Sequence, residues 1–191
     1  MTTHFDPALE TAHRQADWDA ALPFDAWLAE AGALVELWAS ATARAEAPAD
    51  LVARAEAVPG DWRLLVLTED WCLDATSTVP PVARLAQAAR NVSLRVLNRD
   101  EHPDLMDAHL TNGTARSIPV VILLDGDGVE RGWWGPRPAD LQAWFTGEGQ
   151  TMEKEDRYRE LRKWYARDRG ATTVREVVEL IETAGGNGAV A

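Results

Sequence analysis

The sequence holds one cysteine, Cys72, in 191 residues. An internal disulfide is therefore impossible, and no disulfide framework holds the fold. Long apolar runs are missing too: no stretch approaches the ~18 apolar residues that a membrane span needs. Basic residues are scarce. With 19 Lys and Arg against 31 Asp and Glu, the formal net charge is -12. So acidic a chain repels nucleic acid and anionic membrane, which argues against both as partners. The opening "MTTHFDPALE" lacks the basic and apolar regions of a secretion signal. These absences lead us to expect a cytoplasmic protein built from one domain with helical additions.

What the chain has in quantity is apolar side chains, 46% of the total, and nine tryptophans. Trp18, Trp27, Trp38, Trp62, Trp144 and Trp164 are scattered, as large core and groove residues are. Up to Val58 the pattern is helical. Pro23 starts "FDAWLAEAGALVELWASATARA", in which Phe24, Trp27, Leu28, Val35 and Trp38 fall near one face. "WRLLVLTE" then has strand length, and "TSTVPPVARLAQAAR" reads as a helix bent or restarted at Pro80-Pro81. "VSLRVLNRD" alternates as a strand, and "HPDLMDAHL" is a short helix. "IPVVILLDGDGVERGWWG" gives two strands joined at Asp125-Gly126-Asp127-Gly128, a hairpin signal, before the helical "PADLQAWF". Two more helices follow, the second with Thr173 and Glu176 as a candidate capping box. The predicted architecture is an α/β fold with a four-stranded mixed sheet and helices on both faces. Residues 1–60 form an N-terminal helical extension, 61–149 the core, 150–184 C-terminal helices packed on it, and 185–191 a disordered tail.

The segment "LLVLTEDWCLDATSTVPP" surrounds the lone cysteine. Trp71-Cys72 looks like the pair that opens the active-site helix of the thioredoxin superfamily, and Pro80 matches the proline that kinks that helix. "LNRDEHPDLMDAH" is similar to the family's second central strand and following helix. Ile118-Pro119 resembles its cis-proline loop, and "DGDGVERGWWG" its closing hairpin. The matches run from Leu64 to about Trp144. The motif also resembles that of bacterial thioredoxin-like proteins with a Trp-Cys-x-Asp-Cys/Ala signature. Two departures stand out. Ala75 occupies the position of the resolving cysteine. Val66 occupies that of a buried aspartate that assists the resolving thiol in thioredoxin. The losses are coherent, because a buried carboxylate with no thiol to deprotonate adds only a desolvation cost.

The resemblance implies Cys72 as nucleophile, with Trp71, Leu73, Asp74, Ile118 and Pro119 as the residues that meet a partner. At a helix start the exposed N–H groups favour a thiolate, whereas Glu69, Asp70 and Asp74 oppose it. We expect Cys72 to be accessible and more acidic than a free thiol. A monothiol forms mixed disulfides but needs an external thiol for release, so glutathione or another small thiol is a candidate co-reactant; no resident cofactor is implied. Partners on this reading are protein or small-molecule thiols and disulfides. The alternative is a redox-inactive module that uses the same groove to bind a protein or peptide.

His102 and His109, with Asp100, Asp104 and Asp107, match no metal-ligand spacing, and a solvated helix face is expected instead. Trp133 and Trp134 point to opposite faces of their strand, one into the core and the other either beside Cys72 or under the added helices. Arg137 is a candidate to hold a carboxylate, such as that of a glutathione-like thiol.

Overall fold

The computed structural model describes residues 3–4 and 14–187. Its elements in chain order are β1 (Thr3–His4), α1 (Gln15–Ala20), β2 (Leu22–Pro23), α2 (Phe24–Glu30), α3 (Val35–Arg44), α4 (Ala49–Ala57), β3 (Trp62–Thr68), α5 (Leu73–Ala88), β4 (Val92–Asn98), α6 (Pro103–Asp107), β5 (Val120–Leu124), β6 (Glu130–Trp134), α7 (Ala139–Thr146), α8 (Lys154–Asp168) and α9 (Ala171–Asn187). The apolar run of β3 is buried almost throughout, as a central strand covered on both faces must be. It pairs in parallel with β4 and antiparallel with β5, and β5 pairs with β6 through the expected hairpin. Asp125 builds that turn. Its Oδ1 accepts from the N–H groups of Asp127 and Val129, and its Oδ2 from Arg131.

Among the described residues the sheet has six strands, in the order β1-β6-β5-β3-β4-β2, rather than the four expected. The four long strands are the anticipated ones. The additions are two-residue strands, β1 on β6 and β2 on β4, within the region expected to be helical. So short an element has no periodicity to read. It forms because an edge strand's unpaired backbone groups take up a passing segment, and Pro23 is tolerated at such an edge.

Successive residues of β6 show how the faces are covered. Trp134 donates from Nε1 to Glu176 of α9, at 2.7 Å, while Trp133 packs edge-on against His109, just beyond α6. One face thus lies under α9 and the other under the α6 region. Both tryptophans are buried, and neither opens onto a groove.

Helix α5 runs unbroken through Pro80 and Pro81, so no restart occurs there. The Pro81 ring supports the turn between α8 and α9. Gly170, with φ 81°, brings its backbone so close that a Cβ would lie 2.2 Å from Pro81 Cγ. The start of α9 is held by Asp168, which accepts from the Thr172 N–H and hydroxyl. The Thr173–Glu176 capping box does not form, because Glu176 serves Trp134 and the Ala139 N–H instead. Helix α9 continues through Gly185 and Gly186 to Asn187, so the expected tail from residue 185 is helical at its start; residues 188–191 lie outside the described residues.

Candidate functional site

The site lies where β3 ends and α5 begins. The intervening turn is clamped by the N-terminal extension. Asp70 Oδ2 accepts from the N–H groups of Gly32 and Ala33, each at 2.8 Å, and Trp38 Nε1 donates to the Asp70 carbonyl at 2.7 Å. Trp38 is fully buried and stacks edge-on against Trp27, so the clamp rests on an aromatic cluster. On the other side, Glu69 Oε1 accepts from the Asp100 N–H, and burial raises the Glu69 carboxyl above its usual range.

Cys72 caps the N-terminus of α5. It is only 8% exposed, and its Sγ donates to the Ile118 carbonyl at 3.5 Å. Burial is the largest influence on the thiol. The N–H groups of Ala75 and Asp74 and the charge of Arg137 favour the thiolate, the charge of Asp74 opposes it, and the net result is a pKa pushed up to about 11. The expectation of an accessible, acidified cysteine is therefore reversed. The helix-start effect is present, but desolvation exceeds it.

The neighbouring side chains divide. Trp71 and Leu73 are turned outward, 49% and 44% exposed, and the Arg99 guanidinium lies 5.1 Å from the Trp71 ring centre. Asp74 is turned inward. Arg137 grips it from two nitrogens, at 3.1 Å and 2.5 Å, and the Tyr165 hydroxyl donates to the same carboxylate at 2.8 Å. Arg137 also donates to Gln142 and lies 3.9 Å above the Phe145 ring. Arg137 does hold a carboxylate, but it is this chain's own. The Tyr165 phenol is held well above its ordinary pKa by burial and by the Asp74 charge. Its approach from α8 had no signal in the sequence. Tyr165→Phe leaves Asp74 one donor short and is expected to lower stability by about 1–2 kcal/mol, read by urea denaturation.

The Ile118–Pro119 peptide is cis. Both residues are buried, and Gly135 packs directly on Pro119. Of the six residues expected at the site, Cys72 and Ile118 meet, Trp71 and Leu73 face solvent, Pro119 supports the loop, and Asp74 belongs to the buried ion pair. A family model described as thioredoxin matches residues 21–170, most of the chain. The chain belongs to the thioredoxin superfamily.

Two solved structures share this thioredoxin-like fold. A protein of unknown function from Pseudomonas aeruginosa is 21% identical, with a TM-score of 0.72 over 91% of this chain and 99% of that one. An HIV epitope-scaffold is 20% identical, with a TM-score of 0.69 over 90% and 99% respectively. No curated protein matches the sequence at a significant level. The two positions that depart from a dithiol thioredoxin, Val66 and Ala75, are both completely buried.

Among the described residues, no group of three or more His, Cys, Asp or Glu side chains is placed to hold a metal ion. His109 is not on a solvated face. It is fully buried, with Nδ1 2.7 Å from the Leu105 carbonyl and Nε2 2.8 Å from Glu130, whose second oxygen accepts from Arg14. This network ties the residue before α1 to β6. Glu130→Ala would leave His109 and Arg14 without their shared acceptor, and a stability loss of about 3 kcal/mol is expected by thermal melting. Among the described residues, no helix is long and apolar enough to cross a membrane.

Proposed function

We propose that this protein is a cytoplasmic, redox-inactive thioredoxin-fold module that binds a protein or peptide partner, with Trp71 and Leu73 as its contact residues. The supporting observation is the setting of Cys72: buried, with its Sγ directed at the Ile118 carbonyl. A thiol with a pKa of about 11 is thiolate in only about one molecule in ten thousand at neutral pH, against a few per cent for a free thiol. The exposed Trp71 ring beside it suits partner binding, because aromatic side chains supply contact area at low entropic cost. The opposing reading is monothiol exchange with an external thiol such as glutathione. It draws on the Asp74 and Ala75 N–H groups, which would stabilise a thiolate once a partner had opened the site.

Cys72→Ser separates the two. Serine keeps a donor for the Ile118 carbonyl, so the fold survives. The module reading predicts that wild type and variant reduce hydroxyethyl disulfide equally slowly in the presence of glutathione. A Cys72-dependent rate above the uncatalysed one would replace this reading with the monothiol one.

A further inference from the structure

A second surface adjoins this site. A cleft of about 1280 Å³ lies between α3, the turn into α4, the first turns of α5, and α8, and neither Cys72, Trp71, Ile118 nor Pro119 lines it. Its apolar wall includes Leu37, Leu73 and Leu161. Leu37 is 39% exposed, and with Leu73 it makes up two of the four large apolar side chains that the described residues leave exposed. Exposed apolar side chains gathered on one cleft, rather than scattered singly, mark an interaction surface.

The charges around the cleft run against those of the protein. The chain carries -12, yet Arg44, Arg162 and Arg169 line this cleft. The guanidinium groups of Arg162 and Arg169 make no hydrogen bond or ion pair with any described residue, and Arg44 donates only to Ser40 on its own helix. Of the acids on the lining, Asp74 is matched by Arg137, while Glu46 and Asp168, the latter hydrogen-bonded to Thr172, keep their charge, two carboxylates against three arginines. The net charge on the rim is therefore positive. The volume exceeds the ~300–1,000 Å³ of small-molecule sites, and its exposed leucines would leave a small ligand only partly covered. Alanines 41, 45 and 166 on the lining leave room for another backbone to come close.

We propose that this cleft docks an acidic amphipathic helix of a partner protein. Its apolar face would lie against Leu37, Leu73 and Leu161, and its carboxylates would meet Arg44, Arg162 and Arg169, in the helix-in-groove mode of recognition. The inference goes beyond the proposed function, since it assigns a second surface that shares only Leu73 with the first and stands whether or not Cys72 is reactive.

The test uses the full chain and a fluorescein-labelled peptide of about 16 residues, roughly four helical turns, with leucine at positions i, i+3, i+4 and i+7 and glutamate elsewhere. A control peptide replaces every glutamate with lysine. Fluorescence anisotropy should show saturable binding of the glutamate peptide that weakens with salt, and at least ~10-fold weaker binding of the lysine peptide. The double variant Arg162→Glu/Arg169→Glu should weaken the glutamate peptide by about 10-fold or more, and Leu37→Glu similarly. All three substituted side chains are exposed, so unchanged melting curves confirm that the fold is kept. Trp71→Ala should leave this binding intact, which separates it from the surface of the proposed function. No binding of the glutamate peptide at millimolar concentration, equal binding of the two peptides, or unchanged binding by the arginine variant would overturn the proposal.

Discussion

Gly135→Ala is expected to cost the protein roughly 3–5 kcal/mol and to lower its melting temperature by on the order of 10 °C. The cause is backbone against backbone. A Cβ at Gly135 would lie 2.3 Å from the Pro119 carbonyl oxygen, 3.3 Å from the Pro119 carbonyl carbon and 3.2 Å from the Val120 Cα. None of these atoms belongs to a flexible side chain that can swing aside. Residue 135 also has φ 147°, a conformation that glycine adopts freely and alanine resists. The chain has two ways to relieve the contact. It can draw β6 away from β5, where Trp134 stands opposite Val121, or it can displace the loop whose Ile118 carbonyl receives the Cys72 thiol. Either way the change should also reach the candidate site, so Cys72 should label faster in the variant. Gly186→Ala is the matched control. Nothing lies within 4 Å of its Cβ position in α9, and helix propensity favours alanine, so stability should hold or rise slightly. Melting of Gly135→Ala within a degree or two of wild type would contradict the packing described here.

Arg137→Ala should be nearly as damaging, at about 3–5 kcal/mol by denaturant titration, because it leaves the buried Asp74 carboxylate without its cation. The Tyr165 hydroxyl would remain as its one side-chain donor. Part of the loss is packing, since the guanidinium also lies over the Phe145 ring. Arg137→Lys should recover only part of it. A single ammonium cannot reproduce the two-pronged contact with Asp74 while also reaching Gln142. The double variant Arg137→Ala/Asp74→Asn should lose clearly less than the sum of its single changes, because removing both charges relieves the stranded one. If the double variant is simply additive, the ion pair does not have the coupling assigned to it.

The parts of the fold that were legible in the sequence are those set by local pattern. The run from Trp62 to Thr68 is apolar enough to require cover on both faces, and Asp125-Gly126-Asp127-Gly128 can only turn. What was illegible depends on partners far along the chain. Asp74 reads as a residue turned toward a partner until Tyr165, 91 positions later, is seen to bind it. His109 reads as solvated until Glu130 from β6 meets its ring and Arg14, 116 positions before Glu130, donates to the same carboxylate. Glu176 has capping-box spacing from Thr173, but the indole of Trp134 competes for it and wins. Cys72 is the most instructive residue. The helix-start argument is local and correct in sign, yet the thiol's ionisation is decided by how much protein covers it, which is a property of the assembled fold.

The central claim is that Cys72 is a protonated, structural thiol and not a nucleophile. A group whose pKa is raised on folding favours the folded state while protonated. That contribution is whole below the unfolded-state pKa and is lost as pH rises through the folded one, so it fades between about 9 and about 11. The most direct measurement is the rate of iodoacetamide alkylation of Cys72 in the native protein from pH 6 to pH 11.5, followed by mass spectrometry, with Cys72→Ser as the blank. The account predicts slow labelling at neutral pH, far below that of the denatured chain, and a rate still rising as pH approaches about 11. A native rate that matches or exceeds the denatured one at pH 7, with its inflection at or below the ~8.5 of a free thiol, would contradict it.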